Sequence, residues 1–441
     1  MINSSKRLLN VFTKISSNSG YLRSSSSTLI RTKHSSSSSS SSSSTSLFNK
    51  FKQQTIENQQ QQQQRTIFYS SYITNTTNYK PIKNDEIFSE ILESKRYEEY
   101  GNYEASRSIL VRAKDMVEKT LGMKHPITIN VLFRLINAEM AIGGLDAAQK
   151  HCQTILDRIN VNEDIEYSIP SIYNLILCHQ YKGDLEQAAK VSDLLVEIAT
   201  KRNDWELCVG SILNKAIILS LGCRDVESKE IFDQCIALLH DKLDAKNHLN
   251  ESVYGNFASF LHSIEIDKEA EAYYMMAEQS AKDNNNDKEL VNILTNYTEF
   301  LYDSGQFDEC ETMLKEASAK AEQVYGRESP KVASIIFIMA RLYRAKENPT
   351  WAEGFFNKCI SIFEHYRSQS KHQSMLTKKE NEAVPSFEPG KREIELRTNK
   401  EVDIEYGNVL WEYAQMLREK GRQHEAMNIE ERARRLNSID D

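Results

Sequence analysis

One feature constrains this chain more than any other. Ala113, Ile155, Leu195, Cys235, Ala277, Ala317 and Cys359 stand on a ladder, separated by 42, 40, 40, 42, 40 and 42 residues. Each ends a copy of one helical phrase: a turn residue, an aromatic or Leu two positions on, then packing residues five and twelve positions on. Gly305-Gln-Phe307-Asp-Glu-Cys310, leading to Leu314 and Ala317, is the clearest copy. Gly101 with Tyr103, Leu110 and Ala113, Gly143 with Leu145, Ala148, Cys152 and Ile155, and Gly183 with Leu185, Ala188, Ser192 and Leu195 repeat it. Looser copies end at Cys235, Ala277 and Cys359, and the last runs from Gly421 through Ala426 to Ala433. A second ladder, Asn174, Asn214, Asn256 and Asn296, keeps the same register in the helix before the turn, at 40, 42 and 40. A repeating period of this length marks a repeat architecture. Each unit reads as a helical hairpin whose small residues let two helices approach closely. One hairpin cannot bury its own apolar face, so the hairpins must stack.

Gly305, Phe307, Cys310, Leu314 and Ala317 resemble the signature of the tetratricopeptide repeat family, with Cys in an Ala position. The long period, together with Leu121-Gly-Met-Lys-His125-Pro126 and Tyr325-Gly-Arg-Glu-Ser-Pro330 after the second helix, is similar to the extended subtype found in kinesin light chains. The resemblance covers residues 85–441. It implies an all-α fold, a right-handed superhelical solenoid of about eight hairpins. Cys359 and Ala433 lie 74 apart, one period plus an insertion, and Ser368 to Lys400, charged and carrying Pro385 and Pro389, fits it. That segment is read as a mobile loop, the alternative being an ordered binding element.

The N-terminal part has another composition. Residues 1–56 hold eight basic residues and no acid, leaving the remainder at −16 although the chain as a whole carries −8. Ser35 to Ser44 and Gln59 to Gln64 are homopolymeric runs that cannot bury apolar area. Placed on a helix, Lys6 to Ile15 sets Leu8, Leu9, Val11, Phe12 and Ile15 opposite Lys6, Arg7, Asn10 and Lys14. A basic, Ser-rich, acid-poor amphipathic start is the composition of a mitochondrial transit peptide. The competing reading is a low-complexity tail with a chance amphipathic decamer. Arg65-Thr-Ile-Phe-Tyr-Ser70 resembles a twice-trimmed presequence end, which puts the mature start near Asn75 and the transit and disordered segment at residues 1–74. No apolar run is long enough to span a membrane.

Chemistry-bearing patterns are not found. The seven cysteines form no CxxC pair, and Cys152, Cys235, Cys310 and Cys359 fall on packing positions of the repeat, where Cys serves as a small hydrophobe. No HExxH, GxGxxG or GxxxxGK[ST] occurs, and His125 reads as a loop residue of the repeat subtype. The expectation is a non-enzyme with no metal and no cofactor. RNA-reading helical repeats need a basic groove, so a body at −16 predicts no nucleic-acid partner.

Stacked hairpins present an inner wall made from the first helix of each. The family's inner-wall positions, carried onto the clearer repeats, are Asn130, Phe133, Asn137, Tyr173, Gln180, Asn292, Thr295, Glu299, Tyr302, Trp411, Gln415 and Arg418. Aromatic and amide side chains suit a protein segment held by stacking and hydrogen bonds, though several of these can equally pack between repeats. The Asn ladder is expected to bond the neighbouring repeat, and Glu311 with Lys315, four apart on a second helix, to be a solvated pair. Two functions fit. One is a mitochondrial scaffold, in the matrix or peripherally on an inner-membrane complex, supporting assembly or stability of a respiratory-chain complex. The other is a cytosolic cargo or signalling adaptor like kinesin light chains, although residues 1–84 carry no heptad coiled coil.

Overall fold

The structure, a computed structural model, describes residues 85–99, 102–376 and 399–437. The transit-peptide segment and the Ser and Gln runs lie outside the described residues. Among the described residues are sixteen helices and no strand. They pair consecutively into eight hairpins: α1 (Asp85–Glu99) with α2 (Tyr103–Leu121), α3 (Pro126–Ala141) with α4 (Leu145–Arg158), α5 (Ile165–Tyr181) with α6 (Leu185–Arg202), and α7 (Trp205–Leu221) with α8 (Asp225–Lys242). Then come α9 (Leu249–Ser263) with α10 (Asp267–Asp283), α11 (Asp287–Asp303) with α12 (Phe307–Tyr325), α13 (Pro330–Ala345) with α14 (Pro349–Leu376), and α15 (Asn399–Glu419) with α16 (Gln423–Asn437). The first four hairpins form one compact unit, ending at Asp244, and the last four another, beginning at Ala245. The architecture is an all-α helical repeat.

The hairpin turn has one backbone solution. Gly143, Gly183, Gly305 and Gly421 have φ between 74° and 80°, and at the same register Cys223, Glu265 and Glu347 take φ of 56°, 68° and 56°. In all seven turns the next residue's N–H reaches back to a carbonyl five positions earlier, from Gly144 to Glu139 through Arg422 to Leu417, at 2.7–3.0 Å. This left-handed cap consumes the orphan carbonyls of the first helix and reverses the chain. The looser repeats lack glycine but not the turn, so they resist recognition by pattern while folding alike.

The return connections use side chains. Gly122 and Gly326 have φ of 92° and 84°, after which His125 Nδ1 accepts from Ile127 N (3.2 Å) and Ser329 Oγ from Lys331 N (3.2 Å), each just before a proline that opens the helix. His125 is therefore the N-cap of α3.

Small residues sit where helices touch, and their polar atoms have work there. Ser228 Oγ donates to Ala216 O (2.8 Å), and Cys310 Sγ, at the same register, to Thr298 O (3.3 Å). Cys235 Sγ donates to Val209 O (3.5 Å), and Cys359 Sγ, again in register, to Ala333 O (3.2 Å). Of the seven free thiols, all but the half-buried Cys223 are buried. Burial pushes Cys235 and Cys310 up to about 12 and Cys359 well above its usual range. Cys152 is raised too, first by its hydrogen bond with Cys178 and then by burial. A thiol that stays protonated is a packing group, not a nucleophile.

Helix α14 continues to Leu376 and α15 begins at Asn399, so both ends of the expected loop Ser368–Lys400 are helical, and residues 377–398 lie outside the described residues. Ser368–Leu376 carries no Gly or Pro, and extending a formed helix needs no new nucleus.

Candidate functional site

The inner-wall residues lie on first helices: Asn130, Phe133 and Asn137 on α3, Tyr173 and Gln180 on α5, Asn292, Thr295, Glu299 and Tyr302 on α11, Trp411, Gln415 and Arg418 on α15. Spacings of three and four put each set on one face of its helix. In the first unit Asn130, Phe133 and Gln180 are half-buried and Asn137 is exposed, while Tyr173 is 4% exposed. Phe133 packs on the core around Leu132 and Leu135. The Gln180 Oε1 is buried with no hydrogen-bond partner among the described residues.

In the second unit, Thr295 is fully buried and its hydroxyl donates to Val291 O at 2.6 Å, so it is spent on its own helix. Glu299 and Trp411 are buried as well, at 4% and 8% exposure. Tyr173, Thr295, Glu299 and Trp411 thus depart from the expected open wall. Three of them, Tyr173, Thr295 and Trp411, share one register at mid-helix, where adjacent hairpins close over one another. What stays accessible lies nearer the helix ends. Asn292 Nδ2 donates to Glu289 Oε2 (3.2 Å), Gln415 is half-buried, and exposed Arg418 pairs with Glu430 (2.7 Å). Tyr302 is half-buried, 5.8 Å from the Phe307 ring, with the Arg341 guanidinium 4.6 Å from its centroid.

Arg341 and Arg344 on α13 were not among the expected residues. The repeat ladder could have found them, since they stand 42 residues after Glu299 and Tyr302 and 74 before Gln415 and Arg418. Arg341 is 3% exposed, a buried cation on an aromatic face. Arg344 reaches Glu412 (2.8 Å) and Glu419; burial opposes its charge, and the two carboxylates outweigh it, so its pKa is raised.

Glu311 is not the solvated partner of Lys315 that its spacing suggested. Besides Lys315 Nζ (2.8 Å) it receives Lys346 Nζ (2.7 Å) and the Tyr343 hydroxyl (2.9 Å), which tie α12 to α13 and hold its carboxyl at about 2. The Asn ladder bonds across repeats at one rung, where Asn296 Nδ2 donates to Ser259 Oγ (3.4 Å). Asn256 turns to Ser252 O of its own helix (2.8 Å).

Residues 289–365 match the model of the tetratricopeptide repeat. This tetratricopeptide segment runs from α11 to α14 and contains the clearest sequence copy at Gly305. No curated protein matches the chain. Among solved structures, BtubC (BKLC) from P. vanneervenii is similar at 14% identity over 56% of this chain and 95% of that one, with a TM-score of 0.44. The tetratricopeptide-like repeats of a Podosopora anserina putative kinesin light chain are 17% identical over 46% and 99%, at 0.39. Yeast Tom70 is 12% identical over 86% and 82%, at 0.38. No helix among the described residues is long and apolar enough to cross a membrane.

Proposed function

We propose that this chain is a non-catalytic protein-binding scaffold of the mitochondrion, which holds segments of other proteins against its inner helices and supports the assembly or stability of a respiratory-chain complex. The observation that carries the binding reading is the set of accessible amide, aromatic and guanidinium groups on first helices of each unit: Asn130 and Gln180 on α3 and α5, and Asn292, Tyr302, Gln415 and Arg418 on α11 and α15. A segment laid along the first helices of either unit meets hydrogen-bonding and stacking groups already fixed on rigid helices, so little ordering cost remains. Groups that could do chemistry are otherwise engaged, since the thiols of Cys235, Cys310 and Cys359 bond carbonyls and His125 caps a helix. The mitochondrial reading rests on Lys6–Ile15 and the acid-free first 56 residues.

Two measurements test it. Replacing Lys6, Arg7 and Lys14 with Glu should leave the protein in the cytosol; unchanged mitochondrial fractionation would refute the location and favour a cytosolic adaptor. Affinity capture from mitochondrial lysate should lose its partners with Tyr302→Ala, Gln415→Ala and Arg418→Ala combined, at about 2 kcal/mol for each central contact. Lys358→Ala and Gln323→Ala, exposed on second helices, should be silent. Equal loss with the controls, or retention with the inner-wall set, sinks the groove assignment. Trp411→Ala is a poor probe, because truncating so buried an aromatic costs about 3–5 kcal/mol of stability.

A further inference from the structure

Successive second helices are tied together by a recurring clasp, in which a lysine at the end of one first helix reaches back to the preceding second helix. Lys182 Nζ meets Asp146 (2.6 Å) and Gln149 (3.0 Å) on α4. Lys346 Nζ meets Asp308 (2.8 Å) and Glu311 (2.7 Å) on α12. Lys420 Nζ meets Glu353 (2.8 Å) on α14, where Arg422 joins it at 2.5 Å and the Tyr413 hydroxyl donates to the same carboxylate at 3.2 Å. Gln149, Glu311 and Glu353 share one repeat register, and so do the three lysines.

Between α10 and α12, Lys282 near the C-terminal end of α10 joins Glu316 (3.1 Å), but at the register of the clasp the acid is present and the cation is not. Glu271 holds the register of Glu311 and Glu353, while Ser304 and Gln306 stand where Lys420 and Arg422 stand in the last hairpin. Tyr297 occupies the register of Tyr413. Its ring is 6% exposed and stacked on Tyr274 at 5.2 Å, and its hydroxyl has no hydrogen-bond partner among the described residues. Burial and then the carboxylates of Glu271, Glu278 and Glu309 push that phenol up to about 12. Glu278 is paired with Lys282 (2.7 Å), and neither Glu271 nor Glu309 has an ion-pair partner among the described residues. Elsewhere the chain supplies a cation even at the tyrosine's own position: Lys215, 82 residues before Tyr297 and in its register, lies in the cleft between α6 and α8, paired with Asp193. Residues 245–325 carry sixteen acids against six lysines and no arginine. Met275 and Met276 on α10 are 58% and 41% exposed, an apolar shoulder beside the acids.

We propose that the groove between α10 and α12 is a docking site for a basic segment of a partner protein. A lysine or arginine of that segment completes the clasp with Glu271, Glu309 and the Tyr297 hydroxyl, and its apolar neighbours lie on Met275 and Met276. This surface lies between second helices, with Tyr297 reaching it from the first helix α11, and uses none of the inner-wall residues. An ammonium entering it exchanges water for carboxylate and phenol oxygens, as Lys420 exchanges water for the Glu353 carboxylate and the Pro349 carbonyl in the terminal groove. Adjacent methionines adapt to varied apolar side chains.

The test uses the full chain and a fluorescently labelled amphipathic Lys/Leu peptide, followed by anisotropy. Glu271→Gln with Glu309→Gln should weaken binding about tenfold or more, and Tyr297→Phe several-fold with the ring stack retained. Glu104→Gln with Glu163→Gln, exposed acids of the other unit, removes the same charge and should change nothing. The decisive variant is Ser304→Lys, which installs the lysine that Lys346 and Lys420 provide in their grooves. It should close the site from within, lowering peptide affinity about tenfold while the melting temperature holds or rises. Peptide binding that survives Ser304→Lys and Tyr297→Phe, or that falls equally with the control pair, overturns the proposal. An inner-wall defect would leave all these results unchanged, so the two surfaces are tested separately.

Discussion

At the residue scale, the left-handed position at the end of each first helix separates what folding needs from what a sequence displays. Cys223, Glu265 and Glu347 adopt φ of 56°, 68° and 56° where four other hairpins use glycine. A side chain in that region costs about 1–2 kcal/mol, offset in part by the larger chain entropy glycine loses on folding. Each of Cys223→Gly, Glu265→Gly and Glu347→Gly should therefore stabilise the protein by about 0.5–1 kcal/mol, seen as a higher melting temperature with unchanged helicity. Destabilisation by any of them would mean that the side chain contributes more than the strain costs. The same positions explain how far the repeat was legible. Gly305 and Phe307 announce their hairpin, whereas Glu265 announces nothing, because the turn is enforced by backbone hydrogen bonds and not by residue type. Small positions such as Cys235 and Cys359 were readable from spacing alone, since close helix approach admits few side chains. That their thiols donate to Val209 and Ala333 carbonyls was not readable, being a matter of angstroms rather than register.

At the scale of elements, contacts between hairpins carry the information that a single repeat cannot. Glu311 appeared from spacing to serve only its own helix, yet it accepts from Lys346 and Tyr343 of the next hairpin. Because these hydrogen bonds and charges lower its pKa from 4.5 to about 2, its contribution is fully present above the unfolded value and is lost as pH falls through about 2. Glu311→Gln should accordingly cost about 1 kcal/mol near neutral pH, and the stability difference from the parent should shrink steadily between about pH 4.5 and pH 2. A difference that is constant across that range would show the carboxylate to be idle. The burial of Thr295 and Trp411 is the same lesson from the apolar side. Helix periodicity places them correctly on the inner face, but how far the next hairpin covers that face depends on the packing of two elements distant in sequence. Arg341 could have been placed by register, and its burial over Tyr302 could not.

At the scale of the molecule, a stack is only as stable as its exposed end permits. The last hairpin covers Phe356 and Phe363, both fully buried, with Tyr413 and Tyr406 at ring distances of 5.3 and 5.6 Å. Removing residues 399–441 would uncover two phenylalanines worth about 1.5–3 kcal/mol each by burial. The truncated chain should melt at lower temperature and bind a hydrophobic dye, while the unit ending at Asp244 keeps its own transition. A single transition shifted as a whole would instead indicate that the two units unfold together.

The buried thiols give the chain an internal set of reporters. Cys152 and Cys178 in the α4–α5 layer, Cys235 in the α7–α8 hairpin, Cys310 in α11–α12 and Cys359 in α13–α14 are each sealed and held protonated or packed in the native state. A maleimide can reach any of them only when its own hairpin opens, so mass-resolved labelling rates convert directly into a site-by-site map of local opening free energies. No foreign probe has to be introduced to read which hairpins loosen first, or which tighten when a partner binds.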